Sequence, residues 1–324
     1  MKPPKTINGL MRHLRDDCGI IINGSFQKQE LMTYGYFHGY KGYRFCCKNT
    51  DRIPFRTFDE IMSLIEYDNT VKALLYPNLM FLETAAKNYI CTFSVNDLKQ
   101  SSFDYVFKER MNDNLSNTNV QTERLKLRND IYSKITSKYS KESKKENQMV
   151  RHFYNRGEDI PVWVVFELMY LSDVATFFKC LNSSVRKDIL KVLNMLDTSI
   201  DTNLEVLHAA IMTIKAMRNA VAHNEIVFDA RFKDRDINQV LKLWVEKETN
   251  IKNITLHTLV DYVIVMCTLL KRFDYTGTKA KEFVQRYVST IDIFRGKVSA
   301  DVYDKVFSNR VRQKIISLQN YVQA

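Results

Sequence analysis

The stretch Ala216-Met217-Arg218-Asn219-Ala220-Val221-Ala222-His223-Asn224 holds an arginine and a histidine five residues apart, late in an amphipathic run. Ahead of it, Leu204, Leu207, Ile211, Ile214 and Met217 recur near helical spacing, which gives one apolar face. Thr202-Asn203-Leu204-Glu205 reads as a capping box that starts this helix, and its end is expected at about Ala222 or His223. His208, early in the run, reads as a surface or hydrogen-bonded histidine.

The residue types suit RNA cleavage without a metal. That reaction needs a base for the 2′-OH, an acid for the leaving 5′-oxygen and a cation for the crowded phosphate. Histidine titrates near neutrality and can act as base or acid. Arginine stays charged and offers forked donors to phosphate. Asn219 and His223 are four residues apart and share a face, so Asn219 could orient the ring or bind phosphate. Arg218 and His223 lie about 140° apart on a regular helix. They converge only where the helix end loosens or the long arginine curls round. A helix C-terminus permits both, and its dipole favours a protonated imidazole. One Arg-His pair does not easily supply base, acid and cation together. Two copies facing each other across a two-fold axis could, which points to a homodimer. The competing explanation is a helix C-cap, with Arg218 and His223 satisfying the last carbonyls. A bare Arg-x4-His arises by chance in roughly a third of such chains, so the stretch alone leaves both open.

Composition narrows the class. The 324 residues are 45% hydrophobic and 26% charged, with only 9 Gly and 5 Pro. That describes a folded chain of helices joined by polar turns, and argues against β-sandwiches and Gly-rich phosphate loops. The net charge of +11 draws polyanions, nucleic acid first. The six cysteines include no Cys-x-x-Cys, so a structural zinc is not expected; no other metal and no cofactor is assigned to the chain. No secretory leader is read, and the longest apolar run, Tyr262 to Leu270, is too short for a bilayer. A cytoplasmic protein without membrane contact is expected.

Along the chain, Gly19-Ile20-Ile21-Ile22-Asn23-Gly24 reads as a short extended piece. Residues 34–45 alternate glycines with aromatics, which should break a helix. With Lys41 and Arg44 they could form a base-stacking platform, or simply plug the core, the commoner use of aromatics. Thr57-Phe58-Asp59-Glu60 is a capping box; Pro77 should kink or end the helix it starts, and Asp68, Glu83 and Lys87 should lie on more polar faces. Ser94-Val95-Asn96-Asp97 reads as another helix start and residues 112–119 as a loop. Residues 121–156 carry ten Lys or Arg against four Asp or Glu. Lys134, Lys138, Lys141, Lys144, Lys145 and Arg151 could line an outer face that contacts RNA phosphates. A boundary set near residue 150 divides the chain into 1–150, an N-terminal helical domain, and 151–324. Pro161 should open one long helix through Phe178, with Glu167 beside its apolar face as a possible support for the site together with Asn224. Asn182-Ser183-Ser184 should cap the next helix. Later helices centre on Leu259–Leu270, Phe283–Ile293 and Val302–Val322.

Arg218-Asn219-Ala220-Val221-Ala222-His223-Asn224 resembles the Arg-x4-6-His signature of HEPN ribonucleases and, more narrowly, the Arg-Asn-x-x-Ala-His of Abi-like abortive-infection proteins, the AbiD/AbiF group. Leu31 to Phe37 with Gly39-Tyr40 is similar to that family's Gly-Tyr-aromatic block. Thr57 to Ile61, on through Tyr67-Asp68 to Glu83, resembles its next helical block, and Pro161-Val162-Trp163 through Glu167-Leu168 its Pro-x-Trp-x-x-x-Glu block. The chain departs from the family at Ser172, often Gly, and near Lys87, often Arg. The resemblance implies an all-α protein with a HEPN-like bundle in its C-terminal half. It implies a metal-independent endoribonuclease of anti-phage defence or of a toxin, dimeric, leaving 2′,3′-cyclic phosphate ends. Arg218, Asn219 and His223 would be catalytic, and a bound regulatory RNA could control the enzyme. Alternatives are a non-catalytic RNA-binding module and a toxin half partnered by another protein.

Overall fold

The computed structural model describes residues 5–48, 50–140, 148–233 and 235–323. Among them the protein is all-α, as the composition implies; the only β features are isolated bridges, Ile21 with Thr57, Phe45 with Arg52 and Ser102 with Pro161. The helices are α1 (Ile7–Arg12), α2 (Ser25–Tyr36), α3 (Phe58–Val95), α4 (Phe103–Arg110) and α5 (Thr118–Ser140). There follow α6 (Gln148–Tyr154), α7 (Val162–Leu168), α8 (Leu171–Cys180), α9 (Ser183–Val192) and α10 (Val206–Ala222). The last are α11 (Gln239–Thr249), α12 (Leu259–Phe273), α13 (Thr278–Lys297), α14 (Ala300–Val306) and α15 (Asn309–Gln323). Among the described residues no helix is long and apolar enough to cross a membrane.

Two compact units make up the chain. The first comprises Met1–Leu79, Ala216–Ile237 and Val245–Ala324, the second Met80–Lys215 and Asn238–Trp244. The chain passes between them within α3, within α10, ahead of α11 and again within α11. In the first unit α12, α13 and α15 pack on one another. Almost every residue of α12 is buried, as expected of a helix that is apolar all round. The one carboxylate there, Asp261, is met by Lys314 and by the Thr255 hydroxyl at 3.0 Å. Tyr67 on α3 packs its ring on Phe294 of α13 and on Phe307. In the second unit α5 carries α6, α7 and α8, with Leu127, Ile131 and Ile135 buried.

Local chemistry explains where the elements begin and end. The Thr57 box forms as read: Thr57 Oγ1 accepts the Glu60 amide at 3.2 Å and Glu60 Oε2 accepts the Thr57 amide at 3.3 Å. Asn182 caps α9 through the Val185 amide. At Gly35, φ of 70° breaks the geometry of α2, and a π-helical turn, Phe37–Lys41, follows. The aromatics there divide: Tyr40 and Tyr43 are core, whereas Phe37 is exposed.

Other expectations are corrected. α3 continues through Pro77, where the Asn78 side chain donates to the Leu74 carbonyl at 3.0 Å; proline deletes one donor, and the flanking Leu75 and Leu79 are fully buried. Ser94 to Asp97 ends a helix instead of starting one, with Asp97 left-handed at φ 60°. The long helix after Pro161 is two short ones. Met169 is extended and the Asp173 carboxylate captures the Tyr170 amide at 2.7 Å, which starts α8 afresh. The last helix likewise divides at Phe307 into α14 and α15. α10 is capped by Asp201, whose carboxylate accepts the Glu205 and Val206 amides at 2.9 and 2.8 Å, so the expected Thr202 box is not the cap. Asp68, expected on a polar face, is completely buried.

Candidate functional site

The Arg-His stretch occupies the end of α10. Met217, Ala220 and Val221 are buried, Arg218 and Asn219 half-buried, and His223 and Asn224 exposed. The helix therefore presents polar residues to solvent at its last turn, while Met217, Ala220 and Val221 hold the apolar side. Arg218 Nη1 donates to Asn219 Oδ1 at 3.2 Å, so the neighbouring amide steers the guanidinium. The His223 amide still closes the helix onto Asn219 O at 2.9 Å. Its ring stands just past the C-terminus of α10.

What stops the helix is a Schellman cap. Glu225 N donates to Ala220 O at 2.8 Å and Asn224 N to Val221 O at 3.2 Å, with Asn224 left-handed at φ 54°. Asn224 is thus the residue that turns the chain, and its side chain is engaged as well: Oδ1 accepts Lys72 Nζ at 2.8 Å. Lys72 also donates to Glu225 O at 3.2 Å and pairs with Asp68 at 3.0 Å. Asp68 in turn takes the Val227 and Phe228 amides at 2.9 and 2.7 Å and the Tyr43 hydroxyl at 2.9 Å. Burial, and then the Asp68 carboxylate, push the Tyr43 phenol far above its ordinary pKa, so it remains a donor. One buried carboxylate and one buried ammonium on α3 therefore bind the whole turn that follows His223. Sequence reasoning missed this clamp. Its one local signal was the i,i+4 spacing of Asp68 and Lys72.

A second set of bonds extends the clamp. Asp229, buried, accepts the Cys47 amide at 2.9 Å and Arg231 Nη2 at 2.6 Å. Arg231 further donates to the carbonyls of Gly42 and Phe45. Tyr43 stacks on Phe228, with centroids 5.7 Å apart. Glycine at position 42 lets the two segments approach closely: a Cβ would stand 2.4 Å from Ile226 Cδ1, which would have to shift, and 3.1 Å from the Phe37 carbonyl oxygen. The Gly-Tyr-aromatic stretch is thereby fastened to the segment just after the Arg-His stretch, although some 180 residues separate them in sequence.

The other candidate residues are placed as follows. Glu167, in the second unit, is exposed near the end of α7. Lys134 pairs with Asp173 at 3.2 Å and lies over the Tyr170 ring. Lys138 is half-buried. Arg151 donates to Tyr139 O at 3.0 and 2.9 Å. Lys141, Lys144 and Lys145 lie outside the described residues. Neighbouring cations are also internally matched, Arg124 with Asp113 and Arg128 with Asp104. Lys41 is exposed and Arg44 half-buried, with Arg44 over the Phe45 ring.

A family model described as Abi-like protein matches residues 29–229. The match begins in α2, just before the glycine-aromatic block, and ends at Asp229, so it contains the Arg-His stretch and both halves of the clamp. No curated protein and no solved structure matches the chain.

Proposed function

The chain belongs to the Abi-like protein family, which associates it with abortive infection, and from that premise we propose that it is a metal-independent endoribonuclease of anti-phage defence, of the HEPN type and nearest the AbiD/AbiF group. The observation that carries the proposal is the turn at the end of α10. His223 stands exposed just past the helix end, Arg218 is half-buried in α10 five residues earlier, and bonds from Asp68 and Lys72 fix the backbone that follows. Such rigidity suits a site in which a proton and a phosphate must be met with sub-ångström precision.

In this reading Arg218 holds the scissile phosphate, with its guanidinium set by Asn219. His223 moves the proton, either from the 2′-OH or to the 5′-oxygen. Attack of the 2′-oxygen on phosphorus breaks the P–O5′ bond, and the products are a 2′,3′-cyclic phosphate and a 5′-OH. Since one His223 cannot perform both transfers in a single step, a second copy of the chain completes the site.

The test is incubation of total RNA with the wild type and with Arg218→Ala and His223→Ala, in EDTA. Cleavage to cyclic phosphate ends is expected for the wild type, with each variant about 10²- to 10⁴-fold slower. A strict metal requirement, or full activity in His223→Ala, defeats the proposal. The alternative is an RNA-binding module without catalysis. It is favoured by one observation, that Asn224 is fully accounted for as a cap residue. It predicts salt-sensitive binding that is unchanged in both variants, and no cleavage products.

A further inference from the structure

Beside the clamp lies a cleft of about 450 Å³ whose walls come from the π-helical turn, the Gly42–Lys48 loop and Arg231. Its chemistry is one-sided. Lys41, Arg44 and Lys48 line it together with Arg231, and no carboxylate does. Asp229, behind the wall, is fully buried and spent on Arg231 and the Cys47 amide. Among the described residues Lys41, Arg44 and Lys48 pair with no acid, and the buried Nε of Arg44 has no hydrogen-bond partner. Arg231 is different. It is saturated by Asp229 and by the Gly42 and Phe45 carbonyls, so it shapes the wall and contributes its field.

The remaining lining is aromatic. Phe37 is 55% exposed, and Arg44 lies 4.6 Å from the centroid of the Phe45 ring. An exposed phenylalanine ring offers a face that something flat and apolar can cover. Three unmatched cations around it specify what that something carries: negative charge in compact form, attached to a flat apolar body. Phosphate meets the first requirement and a nucleobase the second, since every base offers a π-face.

We propose that this cleft binds a nucleoside phosphate, with its phosphate held by Lys41, Arg44 and Lys48 and its base stacked on Phe37. The nucleotide is either free or one unit of a single-stranded RNA. The cleft is joined to the end of α10 through Arg231, Asp229 and the amides held by Asp68, so occupancy there bears on the segment that follows His223.

The test uses the full chain carrying Arg218→Ala/His223→Ala, so that binding is read apart from any cleavage. Isothermal titration with adenosine 5′-monophosphate, inorganic phosphate and a single-stranded RNA heptamer supplies the arms. Saturable binding is expected for the monophosphate if the source is a free nucleotide, and for the heptamer alone if it is a strand. Lys41→Glu/Lys48→Glu should weaken the binding ligand by about tenfold or more and flatten its salt dependence. Phe37→Ala should weaken the base-bearing ligand and leave inorganic phosphate unchanged. The control is Lys191→Glu/Lys281→Glu, an equal charge reversal at exposed lysines outside the cleft. Equal weakening by that control, equal loss of phosphate in Phe37→Ala, or the absence of saturable binding by any arm overturns the proposal.

Discussion

Asn224 shows how one residue can serve structure and still belong to a functional stretch. It adopts φ 54° at the end of α10 and offers its side-chain oxygen to Lys72. Asparagine is among the few residues that take the left-handed region readily, at a saving of about 1–2 kcal/mol over a residue with an ordinary Cβ. Asn224→Ala should therefore lose about 1–2 kcal/mol in urea unfolding, plus the loss of the Lys72 partner. Asn224→Gly keeps the backbone and loses only the side-chain bond, so it should be the milder variant. If alanine were as stable as wild type, the cap would not be what fixes the turn. His223→Ala is the contrast. The ring is exposed, so unfolding should move by no more than about 0.5 kcal/mol while RNA cleavage collapses.

At the scale of elements, α3 does the positioning. Asp68 accepts from Tyr43, Val227, Phe228 and Lys72 without any exposure to water. Asp68→Ala leaves Lys72 buried and two amides unmatched, and should cost about 3–5 kcal/mol. Lys72→Met removes a charge but keeps an apolar stem, and should also destabilise because it strands Asp68. Urea unfolding monitored by circular dichroism reads both. The start of α3 carries a pH signature. Burial pulls the Glu60 pKa up, but donors from Ser299, Arg56 and Thr57 outweigh it and hold the carboxyl below its ordinary value. A carboxyl depressed in the folded state stabilises above its unfolded pKa, and that contribution fades as pH falls through the lowered value. Wild type should thus lose stability on acidification more steeply than Glu60→Gln, in denaturation curves between about pH 6 and 3.

These elements also mark what sequence makes legible. The Thr57–Glu60 box, the Asn182 cap and the end of α10 rest on residues within a few positions of one another, and local spacing reveals them. The burial of Asp68 rests on amides some 160 positions away, which no local pattern contains. The break at Met169 depends on Asp173 outbidding an apolar stretch that would suit one long helix equally well. Of the candidate site, the Arg-His spacing was legible and the buried clamp beneath it was not, because the clamp exists only once α3 and the turn after α10 meet.

For the molecule as a whole, the decisive property is the number of chains per site. Each chain contributes one Arg218 and one His223, whereas cleavage of RNA requires two proton transfers and charge neutralisation. If two chains build one site across a two-fold axis, and both histidines are needed, activity at fixed total protein follows the square of the wild-type fraction. An equimolar mixture of wild type and His223→Ala, allowed to exchange, should then show about a quarter of the wild-type rate. A site complete within one chain gives about half, because inactive chains only dilute active ones. Sedimentation of the same mixtures supplies the control, since the variant has to dimerise as well as the wild type does. His223 is exposed and unneeded for the cap, which rests on the Glu225 and Asn224 amides, so its loss leaves the turn itself as it was. A linear dependence on wild-type fraction, with dimerisation intact, would return both proton transfers to a single chain and require a second acid or base within it.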